Sequence, residues 1–248
     1  MRRGLISGVC LAWTAFCVLA GFVVADEDDM LTGERLAALL RASRTVISSH
    51  QKLINDESLG KKDLTGQRVV NEALQIFAQR KGDSVSDQNF SPFDKQLFDA
   101  QVAAIKEVVD EHQSMIDMKG VGFKGFIPST FARLVNERFE EKVGDKAKMK
   151  VTAPEELIRN RKARPDDWEQ HVIESDFLSP DWPKGKSFTE EVEVSGRPSF
   201  RMLIPEYYSA SCLTCHGGPK GEVDVTGYPK EGKAEGDLAG AISITLFK

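Results

Sequence analysis

The sequence predicts an α+β protein with antiparallel helices in its N-terminal half and an antiparallel sheet in its C-terminal half. Up to about residue 147, apolar residues recur at helical spacing in four stretches. From about residue 148 onward, short strand-like runs separated by turn residues replace that pattern. The 248 residues suffice for one large domain or two small ones, and the composition is that of a soluble globular protein.

Residues 1–25 have the features of a secretory signal peptide. Arg2 and Arg3 precede an apolar run from about Leu5 to Val24, which ends in small residues before an acidic stretch. A basic start, an apolar middle and a small-residue cleavage site are typical of export signals. The run approaches membrane-spanning length, so an uncleaved anchor is the alternative. We therefore expect a periplasmic or otherwise extracytoplasmic protein, with a membrane contact only if the segment is retained.

Removal of residues 1–25 would change the formal net charge from -5 to -7, because it takes away two arginines and no acids. An acidic surface argues against nucleic acid as a partner, since phosphate binding requires basic residues. Two of the four cysteines also lie in this segment, which leaves Cys212 and Cys215 in the mature chain. Two cysteines are too few for a disulfide framework, so thiol chemistry is expected at one place.

Residues 26–147 are predicted to form a helical region with an internal repeat. A shift of 62 positions pairs identical residues at several places, among them His50 with His112 and Lys62 with Lys124. A helix–turn–helix unit used twice predicts a four-helix arrangement rather than a solenoid. The expected helices are 30–57, 65–80, 93–118 and 128–142, with a polar, turn-rich segment at 82–92.

Residues 148–248 are predicted to be a mixed region built around an antiparallel sheet. Pro165 to Glu169 resembles a helix start, because a proline comes early and acidic residues occupy the first turn. The expected strands are a brief alternation at 148–152, a hairpin of 187–194 and 198–203 with a tight turn at Gly196, and a closing strand at 238–247.

One motif carries the chemistry of this region. It reads Ser211-Cys212-Leu213-Thr214-Cys215-His216-Gly217 and lies between the second strand of the hairpin and the closing strand. Two thiols separated by two residues can each add to one vinyl group of a porphyrin, and the adjacent histidine is then held at the iron as an axial ligand. Export fits this interpretation, because c-type haem attachment in bacteria takes place outside the cytoplasm. We therefore predict one covalent haem c, with its iron, on Cys212, Cys215 and His216.

Three other interpretations of the cysteine pair remain open. A disulfide within the motif would be tight and strained, and a zinc site would need four ligands where the chain has no second cysteine pair. A thioredoxin-like pair usually occurs in a βαβ context near the start of its domain. This motif instead lies near the C-terminus and precedes a loop rich in glycine and lysine.

The C-terminal region resembles the DUF3365 family, a group of extracytoplasmic haem c proteins and sensor modules with a PAS-like fold. Three blocks carry the resemblance in this order: Arg159-Asn160 with Pro165 to Glu169, the cysteine motif, and Glu235 to Ser243. The resemblance is good over roughly residues 120–248 and looser over the N-terminal helices.

The resemblance implies a PAS-like sheet, the two cysteines as attachment sites, His216 as the proximal ligand and an Arg-Asn segment packed near the haem. The chain departs from the family at two points. Arg161 stands where the family often has proline. Some members are thought to use a cysteine of an N-terminal helix as the distal ligand, and the predicted mature chain has no spare cysteine. The distal ligand is therefore not carried over.

Two histidines are candidates for the distal ligand of the iron. His50 lies on an apolar helical face where an imidazole could meet the iron, and His112 has the same environment through the repeat. We rank His50 first because its helix is the longer apolar one; a core histidine bonded to backbone is the alternative for both. Met115 or Met118 would give a higher-potential centre, and an open distal pocket also fits. His171 is expected at a helix surface.

Arg159, Arg161, Lys162 and Arg164 form the densest basic run of this acidic chain. Arginine suits haem propionates, because a guanidinium pairs with a carboxylate through two parallel hydrogen bonds. We therefore take Arg159 and Arg161 as haem-binding candidates, with a solvated loop as the alternative. Trp168 is expected in the core rather than stacked on the haem.

Three classes of function fit these features. A monohaem protein with an acidic surface suits electron transfer to an extracytoplasmic redox partner protein, because complementary charge steers transient encounters. A redox or small-ligand sensor would act through a separate signalling protein, since we recognise no kinase or chemoreceptor segment. A peroxidase-type enzyme needs distal acid–base groups, and no distal His-Arg pair is recognisable. We predict a cytochrome-like protein for electron transfer or redox sensing; a gas sensor with an open sixth site is the alternative, and no catalytic residue is assigned.

Overall fold

The computed structural model describes residues 27–81 and 90–248. The predicted signal segment 1–25 and most of the predicted turn-rich segment 82–92 lie outside these residues. Among the residues described, no helix combines the length and the apolar character that crossing a membrane requires.

The N-terminal half is helical, as predicted. Two of the four predicted helices, 30–57 and 93–118, are nevertheless wrong as single helices, because each is broken at a histidine. His50 and His112 have almost the same backbone angles (φ -92°, ψ 6° and φ -96°, ψ 8°), and a ψ near zero ends the regular helix. The resulting elements are α1 (Glu27–Ser49), α2 (Gln51–Ile54), α3 (Gly66–Lys81), α4 (Pro92–Glu111), α5 (Gln113–Ile116) and α6 (Pro128–Val143).

The 62-residue repeat produces a pseudo-symmetric junction between the two copies. The backbone N–H of Lys62 donates to Asp117 Oδ1 (2.9 Å), and that of Lys124 donates to Asn55 Oδ1 (3.1 Å). The two acceptors are themselves 62 positions apart. Each lysine Nζ also donates to the backbone carbonyl three residues before it, at 2.8 and 2.6 Å. The two segments therefore exchange equivalent hydrogen bonds at positions 62 residues apart.

The start of α4 is fixed by a capping box that also ties this helix to α1. The Ser91 hydroxyl accepts from the Asp94 N–H, and the Asp94 carboxylate accepts from the Ser91 N–H. The same carboxylate is buried against Arg35 of α1 (3.0 Å) and accepts a hydrogen bond from the Thr32 hydroxyl. One acidic side chain thus caps one helix and binds the other.

The C-terminal half contains a four-stranded antiparallel sheet, so the predicted α+β class is confirmed. The strand order is β1-β4-β3-β2, and the β2–β3 turn lies at Ser195-Gly196 as expected. The predicted range 198–203 for β3 was too short, because the strand continues through a proline, a residue that has no N–H to donate to a ladder. Pro205 in fact pairs with Ala241, and an irregularity in register follows only after Glu206. The strands are β1 (Ala147–Thr152), β2 (Phe188–Val194), β3 (Arg197–Tyr207) and β4 (Leu238–Phe247).

The two faces of the sheet are covered by different elements. Met202 and Ile204 of β3 join the main core with apolar side chains of α1, α3, α4 and α6. Leu203, which points to the opposite face, packs in a smaller cluster with Val172 and Phe177. Val172 lies in α7 (Asp167–Val172), and Phe177 lies in the π-helical turn that follows it. The sheet therefore lies between the helical layer and a short helical segment.

The block Pro165 to Glu169 attaches α7 to the sheet. Asp166 and Glu169 form a capping box at the predicted helix start. The buried Glu169 carboxylate also pairs with Lys150 of β1 (2.6 Å), and Asp166 pairs with Arg201 of β3 (2.7 Å). The Trp168 ring lies over the Arg201 guanidinium (4.1 Å) and packs edge-on against Phe188. Residues 165–169, which are part of the family resemblance, therefore hold α7 against the sheet.

The contact between α3 and α4 gives a test of the helical layer. A Cβ on Gly66 would lie 2.1 Å from the backbone oxygen of Lys106, so alanine must push the two helices apart. We expect Gly66→Ala to lower the free energy of unfolding in urea by about 1–3 kcal/mol. Gly60 is the matched control, because a Cβ there meets nothing within 4 Å. Gly60→Ala should leave stability unchanged or raise it by up to about 1 kcal/mol; equal stability of the two variants would contradict the close approach.

Candidate functional site

The cysteine motif forms a single helical turn just after the end of β3. The Cys212 N–H donates to the Ser209 carbonyl, and α8 (Leu213–His216) ends where the Gly217 N–H donates to the Leu213 carbonyl (both 2.9 Å). Cys212 and Cys215 are three residues apart, a spacing that places two residues on the same side of a helical turn. Both thiols are free and partly exposed. A Cβ on Gly217 would lie 2.6 Å from the Leu213 oxygen, which explains the glycine after the histidine.

The imidazole of His216 is oriented by a carboxylate. Its Nδ1 lies 2.8 Å from Glu231 Oε2, and since a carboxylate only accepts, Nδ1–H is the donor. The lone pair is therefore on Nε2, the nitrogen available to a metal. The Tyr208 ring packs against the imidazole, with ring centroids 5.0 Å apart. Burial, and then the nearby Glu231 charge, raises the pKa of Tyr208 to about 12, so this phenol stays neutral.

Arg159 connects the carboxylate to the motif. Its Nε donates to Glu231 Oε1 (2.8 Å), and its terminal nitrogens donate to Glu231 Oε2 (3.0 Å) and Asp224 Oδ2 (2.7 Å). The guanidinium also donates to the backbone carbonyl of Cys215 (3.0 Å). Of the sequence-predicted residues, the structure thus brings together Cys212, Cys215, His216 and Arg159.

Asp224 is the most heavily bonded carboxylate of this cluster. Its Oδ1 accepts from the Thr226 N–H (2.7 Å) and hydroxyl (2.6 Å), while Oδ2 accepts from Arg159. Burial alone would raise the pKa of Asp224, but the hydrogen bonds from Thr226 and Arg159 outweigh it and hold the pKa well below its usual range. Asp224 is therefore ionised at neutral pH.

The Cys215 thiol is not activated as a nucleophile. Burial, followed by the adjacent Asp224 carboxylate, raises the pKa of this thiol above its ordinary value. The thiolate is the reactive form of a cysteine, so a raised pKa lowers the reactivity of Cys215 at neutral pH.

The other sequence-predicted candidates make their contacts elsewhere. His50 Nε2 pairs with Glu72 of α3 (2.7 Å). His112 Nδ1 bonds to the Val108 carbonyl (2.7 Å), and its ring packs against Phe126. These contacts lie in the helical layer, and the distal role of either histidine stays a prediction.

The rest of the basic run is solvent-facing. Arg161, Lys162 and Arg164 are exposed, and the Lys162 ammonium pairs with Glu137 of α6 (2.7 Å). The propionate role of Arg161 stays a prediction, as does that of Arg159, whose guanidinium is paired with the protein's own carboxylates. His171 is exposed on α7, as expected.

Sequence reasoning missed Glu231 and Asp224. Both lie in the Gly- and Lys-rich loop after the motif, where no periodicity marks them; their proximity to the motif was the one available signal. In the parts of the chain that the structure describes, no group of three or more His, Cys, Asp or Glu side chains is arranged to hold a bare metal ion.

Replacement of Asp224 by asparagine tests the charge cluster. We expect the variant to lose about 1–3 kcal/mol of unfolding free energy at pH 7, because a buried arginine contact becomes weaker. A carboxylate with a lowered folded-state pKa stabilises the fold above its unfolded pKa of about 3.9. That contribution is lost as the pH falls through the folded-state pKa, so the difference from wild type should shrink below about pH 4.

The control for this experiment is Glu222→Gln. Glu222 lies in the same loop, but its pair with Lys230 (2.9 Å) is half exposed. Its loss should cost less than about 1 kcal/mol. If the unfolding free energy of the wild type exceeded that of Asp224→Asn by as much at pH 3 as at pH 7, the carboxylate of Asp224 would not stabilise the fold through its charge.

Comparison with known proteins identifies the family. The model of the Tll0287-like family matches residues 32–246, which include the helical layer, the sheet, Arg159 and the complete cysteine motif. No curated protein and no solved structure shows a significant match to the chain. The match covers most of the chain, and the family is of the DUF3365 type that the sequence blocks indicated. The chain belongs to the Tll0287-like family.

Proposed function

We propose that this protein is an exported, monohaem c-type cytochrome-like protein that acts in electron transfer or redox sensing. One observation carries the proposal: His216 is held at Nδ1 by Glu231, which leaves Nε2 free beside two free thiols on the same helical turn. Membership of the Tll0287-like family is compatible with a cytochrome-like protein. The predicted signal segment supports a periplasmic or other extracytoplasmic location.

The donor set of the site fits a haem c. Cys212 and Cys215 have the spacing that attaches both vinyl groups of one porphyrin, and His216 Nε2 would hold the iron. When bound, the group supplies a one-electron couple between ferric and ferrous iron. The protein's share of the chemistry is to orient the histidine, and the carboxylate contact at Nδ1 is a common way to do so. We also propose that the antiparallel sheet with α7 on one face is the PAS-like module implied by the family resemblance.

Carrier and sensor differ in partner rather than in attachment chemistry. A carrier would meet another extracytoplasmic redox protein, for which the acidic charge of the chain offers electrostatic steering. A redox sensor would instead contact a separate signalling protein. In both roles two firm protein ligands would keep the iron from reacting with small molecules.

A second candidate function has one observation in its favour. His50 Nε2 is paired with Glu72, and the contacts of His112 are with Val108 and Phe126 of the helical layer. If neither a histidine nor a methionine of the chain binds the iron, the sixth position would be open and the protein would sense a gas or another small ligand. A peroxidase-type enzyme requires distal acid–base groups in addition, and ranks last.

The attachment site is tested by expression with a c-type haem maturation system. We expect one covalent haem per wild-type chain and none in the Cys212→Ala, Cys215→Ala double variant, measured by the pyridine haemochrome spectrum after denaturation. Thr214→Ala is the control, because Thr214 is exposed between the two cysteines and should keep the haem. Wild-type protein without covalent haem would refute the proposal, and a double variant that retains it would refute the attachment site.

The coordination state is tested by optical spectra of the oxidised and reduced protein with and without carbon monoxide. We expect a low-spin spectrum that carbon monoxide does not change, because two protein ligands leave no open position. His50→Ala and His112→Ala then identify the second ligand, since the variant that lacks it becomes high-spin. A wild-type spectrum that shifts with carbon monoxide would favour the gas sensor.

A further inference from the structure

Glu231 occupies a position that the attachment chemistry alone does not require. Its side chain is only 15% exposed, and its two oxygens are shared between two partners. Oε2 receives the Nδ1–H of His216 at 2.8 Å, while Arg159 donates to both oxygens at 2.8 and 3.0 Å. A carboxylate bound at both oxygens by one guanidinium is held in a single orientation and remains charged.

The backbone on the C-terminal side of Glu231 is fastened to the motif. The Lys233 N–H donates to the His216 carbonyl (2.8 Å), and the Gly232 N–H donates to the Gly217 carbonyl (3.1 Å). Arg159 adds a third link, because it bonds to the Cys215 carbonyl as well as to Glu231. The distance between the carboxylate and the imidazole is therefore set by backbone contacts next to both residues.

A charged acceptor at Nδ1 changes the imidazole as a ligand. An imidazole that donates Nδ1–H to a carboxylate becomes more basic at Nε2 than one that donates to a neutral carbonyl. A more basic axial ligand stabilises ferric relative to ferrous iron, and hydrogen bonding around the ligand is one of the means by which proteins tune haem potentials. The negative charge itself acts in the same direction.

From this geometry we propose that Glu231 is a positioning residue that strengthens His216 as an axial ligand and lowers the reduction potential of the haem. The inference rests on the proposed function and deepens it. Arg159 limits the effect, because it shares the charge of Glu231 while Asp224 in turn shares the charge of Arg159. With two carboxylates and one guanidinium, the site therefore combines a strong ligand with a net local charge of one negative.

The test compares Glu231→Gln with Glu222→Gln in the haem-loaded protein. Glutamine keeps the size and the hydrogen-bonding oxygen but removes the charge. Glu222 lies in the same loop and pairs with Lys230, so its replacement removes an equal charge without touching His216. Reduction potentials come from redox titration. The g-values of the ferric protein in electron paramagnetic resonance report the donor strength of the axial ligand, and the pyridine haemochrome reports haem content.

For Glu231→Gln we expect full covalent haem content, a higher potential and g-values shifted towards a weaker ligand. Glu222→Gln should match wild type in all three measurements. Glu231→Asp retains the charge at a shorter reach and should give a smaller shift; it replaces the glutamine variant if that one does not fold. Haem-loaded Glu231 variants with wild-type potential and g-values would overturn the inference and leave the attachment proposal standing. Wild-type protein without covalent haem would instead refute the proposed function.

Discussion

The guanidinium of Arg159 is the group on which the arrangement of the candidate site depends. It bonds to Asp224, to Glu231 and to the carbonyl of Cys215, which lie 65, 72 and 56 positions further along the chain. Loss of Arg159 would leave two largely buried carboxylates without a cation, so the three side chains depend on one another as one network. His216 joins it through Glu231. The orientation of the proposed iron ligand is therefore decided by a contact made far from the motif in sequence.

The sheet places this network relative to the helical layer. β3 runs from the main core, where Met202 and Ile204 are buried, to the start of the motif. Near the end of β3, the Glu206 carboxylate forms ion pairs with Arg41 and Arg44 of α1, with N–O distances of 2.5 and 2.6 Å. These two ion pairs attach α1 to the strand only a few residues before the helical turn that contains the cysteines. The helical layer is thus bound to the strand that leads into the motif. A displacement of the motif would therefore act on α1 through Glu206.

Local sequence patterns predicted most helices and strands, but they did not predict contacts between residues far apart in the chain. Strand β4 and helix α6 follow their periodicity, and the capping box at Asp166 was visible as a helix start. The break at His50 was not, because the apolar spacing continues through it. The partners of Arg159 could not be predicted, because Asp224 and Glu231 stand in a loop without periodicity. A basic run near a haem motif suggested propionates, whereas its first arginine is paired with carboxylates of the chain itself.

The two copies of the internal repeat contain identical histidines whose side chains make different contacts. His50 and His112 occupy the same helix break with nearly the same backbone angles, yet one imidazole faces the carboxylate of Glu72 and the other bonds to the carbonyl of Val108. The repeat has kept the backbone geometry and the reciprocal hydrogen bonds of Lys62 and Lys124, while the surroundings of the side chains have diverged. A histidine shared by both copies is therefore first a feature of the helix break. Its identity in the two copies does not count in favour of iron binding, which has to be judged for each imidazole from its own contacts.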